Sequence, residues 1–468
     1  LTVTPKRIAV VGGGITGLVA AYELAKARRA GAAVEEYLLE AGPRVGGALR
    51  TERVSGCLVE AGADSFLTEK REAAELCREV GLGDELVGSN DAQRSTCILH
   101  RGRLEPLPDG LEFFVPARPW SVLGTRLLSW RDKLGLAAEV LQRPKRAPEE
   151  SVAAFVRRHF GRGLLDHIVE PLLAAVYGGD PHQLSARAVL PRLVKMEEES
   201  GSLIRGLRRN RRRPLGERLP LFTTLRSGLE TIAATLESRL DAARVLCGRR
   251  IEALAPQAGG GFELRGEGET VLRVDAVVLA LAAHEAGRLL VPLDSLLAQS
   301  LADIPYSSSL IVAVGYDAPV AVPSGFGFLV PEKEGLRLRA CTFVGQKFPH
   351  RVPPGRIIFR CFYGGVHDEA ALELTDEEAA VVVEADLRRI LRIEAEPLFA
   401  RVYRWPRAIA QYTLGHLDRV ADIRSRLASL AGVYLCGNYF DGIGIADCIR
   451  SGRAAAAACL ESFVGSRL

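Results

Sequence analysis

With 468 residues, 48% hydrophobic and 25% charged, the chain suits about three globular domains at roughly 150 residues each and excludes a disordered protein. Lys+Arg 61 against Asp+Glu 57 leaves +4, too weak and too mixed for a nucleic-acid partner. Nine scattered cysteines fit a reducing cytosol, no apolar run reaches the roughly 18 residues of a membrane span, and a strand within the first ten residues argues against a signal peptide.

Arg7–Val11 reads as a buried strand, and Gly12-Gly13-Gly14-Ile15-Thr16-Gly17 follows it at once. Leu18–Arg29 has helical spacing with Gly31 as its stop, and Val34–Leu39 is a second strand ending in Glu40. Together these form the strand–loop–helix–strand–acid unit of a dinucleotide site. Gly12 permits the tight turn, Gly14 admits a pyrophosphate to the backbone, and Gly17 lets helix and strand pack closely. N–H groups at the helix start then face phosphate, while Glu40 accepts from ribose hydroxyls. Gly46 and Gly47 permit a second backbone approach, and Arg44 is placed to meet phosphate. No second unit of this kind follows for a nicotinamide cofactor, so electrons are expected to come from the substrate.

Residues 88–210 read as mainly helical with proline-marked joints. The basic run from Arg205 to Pro214 reads as a solvated connecting loop, with contact to an anion or acidic lipid as the other reading. Phe113, Phe114, Val115, Trp120, Leu127, Leu128 and Trp130 alternate with Arg118, Arg126 and Arg131. That mixture suits headgroup depth as well as an ordinary core helix. Leu225–Leu240 reads as an amphipathic helix entered through Ser227-Gly228, and Val245–Ala253 and Val274–Ala280 as buried strands. Residues 300–405 suggest a mixed or antiparallel sheet distinct from the first. Val433–Gly437 is a short strand, and Gly442–Leu460 a small-residue helix. Its opening Gly442-Ile443-Gly444-Ile445 either exposes N–H groups to a ring edge or phosphate, or simply makes a tight turn. There is no metal-ligand spacing of histidines and no Gly-x-Ser-x-Gly elbow, so a bound cofactor is expected to supply the reactivity.

The Gly12–Gly17 loop, Glu40 with Gly46-Gly47, and the closing 437–449 segment resemble the flavin amine oxidase superfamily. Within it, four stretches are similar to the oxygen-dependent protoporphyrinogen/coproporphyrinogen oxidases, in family order over nearly the whole chain. They are Glu170-Pro171 with Val176-Tyr177-Gly178-Gly179-Asp180, Gly325-Phe326-Gly327-Phe328-Leu329-Val330-Pro331, Gln411-Tyr412-Thr413-Leu414-Gly415-His416, and Gly442-Ile443-Gly444-Ile445-Ala446-Asp447-Cys448-Ile449. The resemblance implies an α/β fold. A discontinuous Rossmann-like FAD-binding domain would take residues 1–87, 211–295 and 426–468, a mixed-sheet substrate domain 296–425, and a helical membrane-associated lobe 88–210.

It further implies non-covalent FAD on Gly12, Gly14, Gly17, Glu40, Arg44 and Gly47, with the backbone of Ile251 near the adenine. Trp405 and the Gly442–Ile445 turn would flank the isoalloxazine. Leu329 would be an apolar clamp and Phe362 a stacking aromatic, in a pocket shared with Asp64, Thr96, Ala175 and Thr342. No residue beyond the flavin is assigned to the chemistry. Three two-electron cycles would carry a porphyrinogen to the porphyrin of heme biosynthesis, with O2 reduced to H2O2. The implied protein is cytoplasmic, peripheral to the inner face of the membrane, and compatible with a homodimer and a downstream ferrochelatase.

Departures from the family pattern bear on the substrate. Thr96 stands where many protoporphyrinogen oxidases have an arginine against a propionate, although Arg94 lies two residues earlier. Asp64 replaces an asparagine, Thr342 an aliphatic residue, and Ala175 a glycine. Asp64 opposes an anionic substrate unless it bonds a pyrrole N–H or pairs with a cation such as Lys70. A wetter, roomier pocket favours coproporphyrinogen III, with protoporphyrinogen IX as sole substrate the alternative. An amine oxidase and an idle FAD-bound tetrapyrrole carrier are the other readings.

Overall fold

Short apolar strands followed by helices pair in parallel, because a right-handed crossover returns the chain to the same end of the sheet. The computed structural model, which describes residues 4–464 apart from 109, 113, 117–118, 145–147, 211–218 and 318–319, contains such a sheet. Its five parallel strands run in the order Val245–Leu246, Val34–Leu39, Lys6–Val11, Ala276–Leu279 and Val433–Leu435. Helices Ile15–Arg29 and Ile445–Val464 cover one face, with Leu18, Ala21, Ile449 and Ala456 in a shared core. Helices Ala283–Leu290 and Ser295–Ala302 and a small meander cover the other. Gly12, Glu40 and Ala280 therefore meet at the carboxyl ends of adjacent strands, where such sheets bind ligands.

A second sheet of seven strands runs Phe399–Ala410, Tyr306–Tyr316, Ile357–Gly364, Ala340–Phe343, Gly327–Leu329, Thr96–His100 and Arg103–Pro106. Neighbours are antiparallel except Gly327–Leu329 and Thr96–His100, which are parallel. Helix Asp376–Leu391 seals one face, with Val383 and Leu387 against Val312, Phe359 and Cys361. The sequence reading passed over that helix, although its capping box of Thr375 and Glu378 marks the start. The opposite face joins the helical lobe and the segment after strand Cys57–Glu60.

Several expected boundaries move. The helical character expected over 88–210 begins at Trp130; Thr96–His100 and Arg103–Pro106 are strands, since Cys97 and Leu99 on one side and Ile98 on the other are all buried. The helix expected at Leu225–Leu240 spans only Glu230–Glu237. Phe222–Leu225 is a strand, and Gly228 turns the chain at φ 103, where a Cβ would lie 2.4 Å from Thr51 Cγ2. The strand expected over Val245–Ala253 stops at Leu246, because Gly248 adopts φ 71 in the turn that follows. In the basic run, Arg205, Arg208 and Arg209 lie on helix Leu203–Asn210 rather than in a loop, and 211–214 fall outside the described residues.

In the helical lobe, Phe114, Val115, Leu127 and Leu128 are core residues packed with Phe155 and Phe160. Their apolar bulk is used internally. Trp120 and Trp130 are exposed, as are Leu134 and Leu141, whereas Phe113 and Arg118 lie outside the described residues. Among the described residues no helix is long and apolar enough to cross a membrane.

Candidate active site

Strand Lys6–Val11 delivers the first glycine loop to the sheet edge, and each glycine is constrained differently. A Cβ on Gly12 would lie 2.4 Å from the Ala280 carbonyl oxygen, and one on Gly17 would lie 1.9 Å from that of Gly12. A Cβ on Gly14 would meet nothing within 4 Å. Turn, close packing and open approach thus fall on the three glycines as expected. Gly14 starts the helix without a side-chain cap and with no acid in its first turn, which suits an anion.

Glu40 ties this loop to the next segment. Its two carboxylate oxygens accept from Gly13 N and Gly42 N, both at 2.7 Å. Beside it lies a cleft of about 200 Å³ whose lining includes Gly12, Glu40, Ala41, Arg249, Ile251 and Arg288. Arg288 donates to the Ile251 carbonyl at 3.1 Å and fixes that backbone against the cleft. Gly46 N donates to Gly13 O at 2.8 Å, and a Cβ on Gly47 would lie 3.2 Å from Gly14 Cα, so the second glycine pair rests on the first loop. Arg44 donates to the carbonyls of Val45, Gly47 and Leu49. It braces the loop's shape.

Beyond strand Val433–Leu435, the turn Gly442–Ile445 straddles the sheet, with Ile443 and Ile445 packed into the cores on opposite faces. Gly442 has φ 136, and a Cβ there would overlap the Asp447 carboxylate at 2.3 Å. Asp447 accepts from Gly444 N, Lys70 and Arg450. Tyr412 Oη donates to Asn438 O and accepts from Gly442 N at 2.8 Å. His416 stacks on Tyr412 with centroids 4.2 Å apart, and burial pushes its imidazole down to about 4. Ser307 and Gln411 both donate to the Tyr177 carbonyl at 2.7 Å, which joins two distant sequence motifs. Ala175 lies on the helix that ends there, Glu170–Tyr177, partly buried against the lobe core.

The mixed sheet gathers the remaining expected residues on one face. Thr96, Gly327, Thr342 and Arg360 are direct cross-strand neighbours in one row. Ile98, Leu329, Ala340 and Phe362 form the next row on that face. Trp405, two strands away, donates through Nε1 to Ala61 O at 2.8 Å. That carbonyl begins the segment carrying Asp64, and Gly62 within it packs against the second glycine loop, where a Cβ would lie 2.3 Å from Ala48 O. The mixed-sheet face and the second glycine loop therefore border one another.

Asp64 does not pair with Lys70, which is engaged by Asp447. Both Asp64 oxygens accept from Lys347 Nζ at 3.0 Å, one accepts from Ser65, and Arg360 Nη1 lies 3.4 Å away. Burial alone would raise its carboxyl, but Lys347, Arg360 and Arg351 together hold it well below the usual carboxylate range. A carboxylate offers about four acceptor positions, and these neighbours occupy them. Asp64 is thus internally neutralised. Arg351 in turn donates to Glu60 at 2.9 Å and to the Asp64 carbonyl at 3.0 Å. Arg94 pairs with Asp91 at 3.5 Å. Lys347, Arg351 and Arg360 escaped the sequence reading. Arg360 did carry a signal: a charge in the middle of Ile357-Ile358-Phe359-Arg360-Cys361-Phe362 needs a buried partner.

The model of the family described as flavin containing amine oxidoreductase matches residues 15–460. The chain belongs to this family. Among relatives of this flavoprotein, a coproporphyrinogen III oxidase of Bacillus subtilis is 32% identical over 96% of this chain and 97% of its own length. A chloroplastic protoporphyrinogen oxidase 1 of Arabidopsis thaliana is 30% identical over 94% of this chain and 85% of its own. A solved protein of Exiguobacterium sp. 255-15, provisionally named a protoporphyrinogen oxidase, is 31% identical and superposes with a TM-score of 0.86 over 97% of this chain and 99% of that one. The glycine loops, the cleft beside Glu40 and the open approach at Gly14 fit the flavin that membership implies. Among the described residues no group of three or more His, Cys, Asp or Glu is placed to hold a metal ion.

Proposed function

We propose that this flavoprotein binds FAD non-covalently and oxidises a porphyrinogen to the porphyrin by removing six electrons, with coproporphyrinogen III as the preferred substrate. When bound, FAD supplies two-electron acceptance in each of three cycles, and O2 takes the electrons onward to H2O2. The observation that carries the reading is the face of the mixed sheet beside the second glycine loop. There an aliphatic residue, Leu329, and an aromatic, Phe362, share one row next to buried cations. A flat apolar macrocycle with acid side chains matches that face: the rows give it van der Waals contact, and the cations oppose its carboxylates. The full-length similarity to proteins named for porphyrinogen oxidation supports the same class.

Several chain residues act around that macrocycle. Leu329 and Phe362 would fix its plane, and Ala175, on the helix facing them, would limit its approach to the flavin. Glu40, Gly14 and Gly47 would hold the adenosine and pyrophosphate, while Trp405 and the Gly442–Ile445 turn would border the ring. Cys436 is fully buried, its thiol pushed up by desolvation, which supports a flavin held without a covalent bond. Side-by-side turnover of coproporphyrinogen III and protoporphyrinogen IX, followed by the Soret band, tests the substrate. A specificity constant at least about tenfold higher for protoporphyrinogen IX, ~1.4 kcal/mol, would reverse the preference.

The lobe fits the surface of a membrane. Trp130 and Leu134 are each 70% exposed, Lys133 lies 4.6 Å from the Trp130 ring, and Arg208 lies 5.7 Å from the Trp120 ring. Aromatic residues with cations beside them suit headgroup depth. Co-sedimentation with anionic liposomes at low salt is expected, and Trp120→Ser with Trp130→Ser should move the protein to the supernatant.

A further inference from the structure

We propose that Arg360 is the residue that selects for acid side chains, with its guanidinium and the neighbouring Thr342 hydroxyl taking one propionate of the substrate. The assignment rests on the porphyrinogen reading and adds a specificity residue to it. Arg360 follows Thr342 in the row Thr96–Gly327–Thr342–Arg360, on the face whose next row carries Leu329 and Phe362. Adjacent strands stand about 4.8 Å apart, so the Thr342 and Arg360 side chains leave neighbouring points of one face and would share one carboxylate. A macrocycle lying on Leu329 and Phe362 then places a peripheral acid against them.

The side chain's own contacts leave it poised for an anion. Nη2 donates to the Gly62 carbonyl, Nη1 is 3.4 Å from Asp64, and the guanidinium lies 5.2 Å from the Phe362 ring. Arg360 is 2% exposed, yet its Nε–H has no acceptor among the described residues. A buried N–H without an acceptor is costly, and a carboxylate oxygen relieves it.

Charge balance points the same way. The buried cluster sets three cations, Lys347, Arg351 and Arg360, against two acids, Asp64 and Glu60. Burial disfavours the charged forms of Glu60, Lys347 and Arg351 alike, and the ion pairs among them oppose it. Asp64 is spent on Lys347, Ser65 and Arg360, so it does not repel a propionate. Thr96 offers no charge on the same row, and Arg94 is engaged with Asp91. The arginine missing at position 96 is thus supplied from strand Ile357–Gly364, three strands across the sheet.

The test compares coproporphyrinogen III with its tetramethyl ester in one detergent buffer, using the flavin-loaded protein, R360Q and R360K. Flavin absorbance reports that each variant is intact. R360Q is expected to raise KM for the free acid at least about tenfold, with little change in kcat and no comparable change for the ester. R360K should recover part of the loss, because a point charge replaces a planar fork. If R360Q does not hold flavin, R360K carries the test through the same acid-selective loss. Equal losses for acid and ester, or an unchanged KM for the acid, overturn the assignment. No turnover by the unaltered protein instead sinks the porphyrinogen reading, and this assignment with it.

Discussion

The two glycine loops present backbone held by bonds within one short stretch of chain, Gly46 N to Gly13 O and Gly13 N to Glu40. On the mixed-sheet face, the corresponding groups are side chains of Asp64, Lys347, Arg351 and Arg360, brought together from segments nearly 300 residues apart. The glycine loop leaves no room for added volume at Gly12 or Gly17, whereas on the sheet face a change of charge unbalances buried partners. Steric exclusion is local and one-sided. Charge compensation is mutual: removing one member leaves the others buried and unmatched, so the cost spreads through the cluster.

Asp64→Ala should show the largest effect, about 3–5 kcal/mol of lost stability in urea unfolding, because Lys347 and Arg360 lose their common acceptor. Pairing it with Lys347→Met should recover part of that loss, and a purely additive result would break the picture of a coupled cluster. Gly17→Val tests the other region. Its Cβ would lie 1.9 Å from a backbone oxygen that cannot move without displacing the glycine turn. We expect about 1–3 kcal/mol of destabilisation and flavin lost on gel filtration; a variant that keeps its yellow colour would show that the loop yields.

His416 sharpens the comparison through pH. Its folded pKa of about 4 lies below the ordinary 6.5, so the unfolded chain takes up the proton first. The stability of the neutral, stacked ring is complete above about pH 6.5 and falls as pH drops towards 4. His416→Phe should flatten that part of the stability–pH profile, and an unchanged slope would place the acid sensitivity elsewhere. Thr342→Val is expected to have the smallest effect, a two- to fivefold rise in KM for coproporphyrinogen III, about 0.5–1 kcal/mol for one hydrogen bond.

The opening strand–loop–helix–strand unit is legible from the residues alone: strand Val34–Leu39 is found where expected, and Gly12 and Gly17 meet the steric constraints read from their spacing. Its information is local, since a turn, a helix start and a strand end within about 35 residues are fixed by short-range sterics and hydrogen bonding. The family and its reaction class were legible for the same reason, in contiguous motifs. Residues 96–106 were less legible, because a buried edge of a mixed sheet has the same apolar content as a core helix. It takes the folded chain to pair Asp64 with Lys347 and Arg360 rather than Lys70, and to set Arg360 in a row with Thr342 and Thr96. Cross-strand register sets those meetings, and one residue of slip would turn every side chain to the other face.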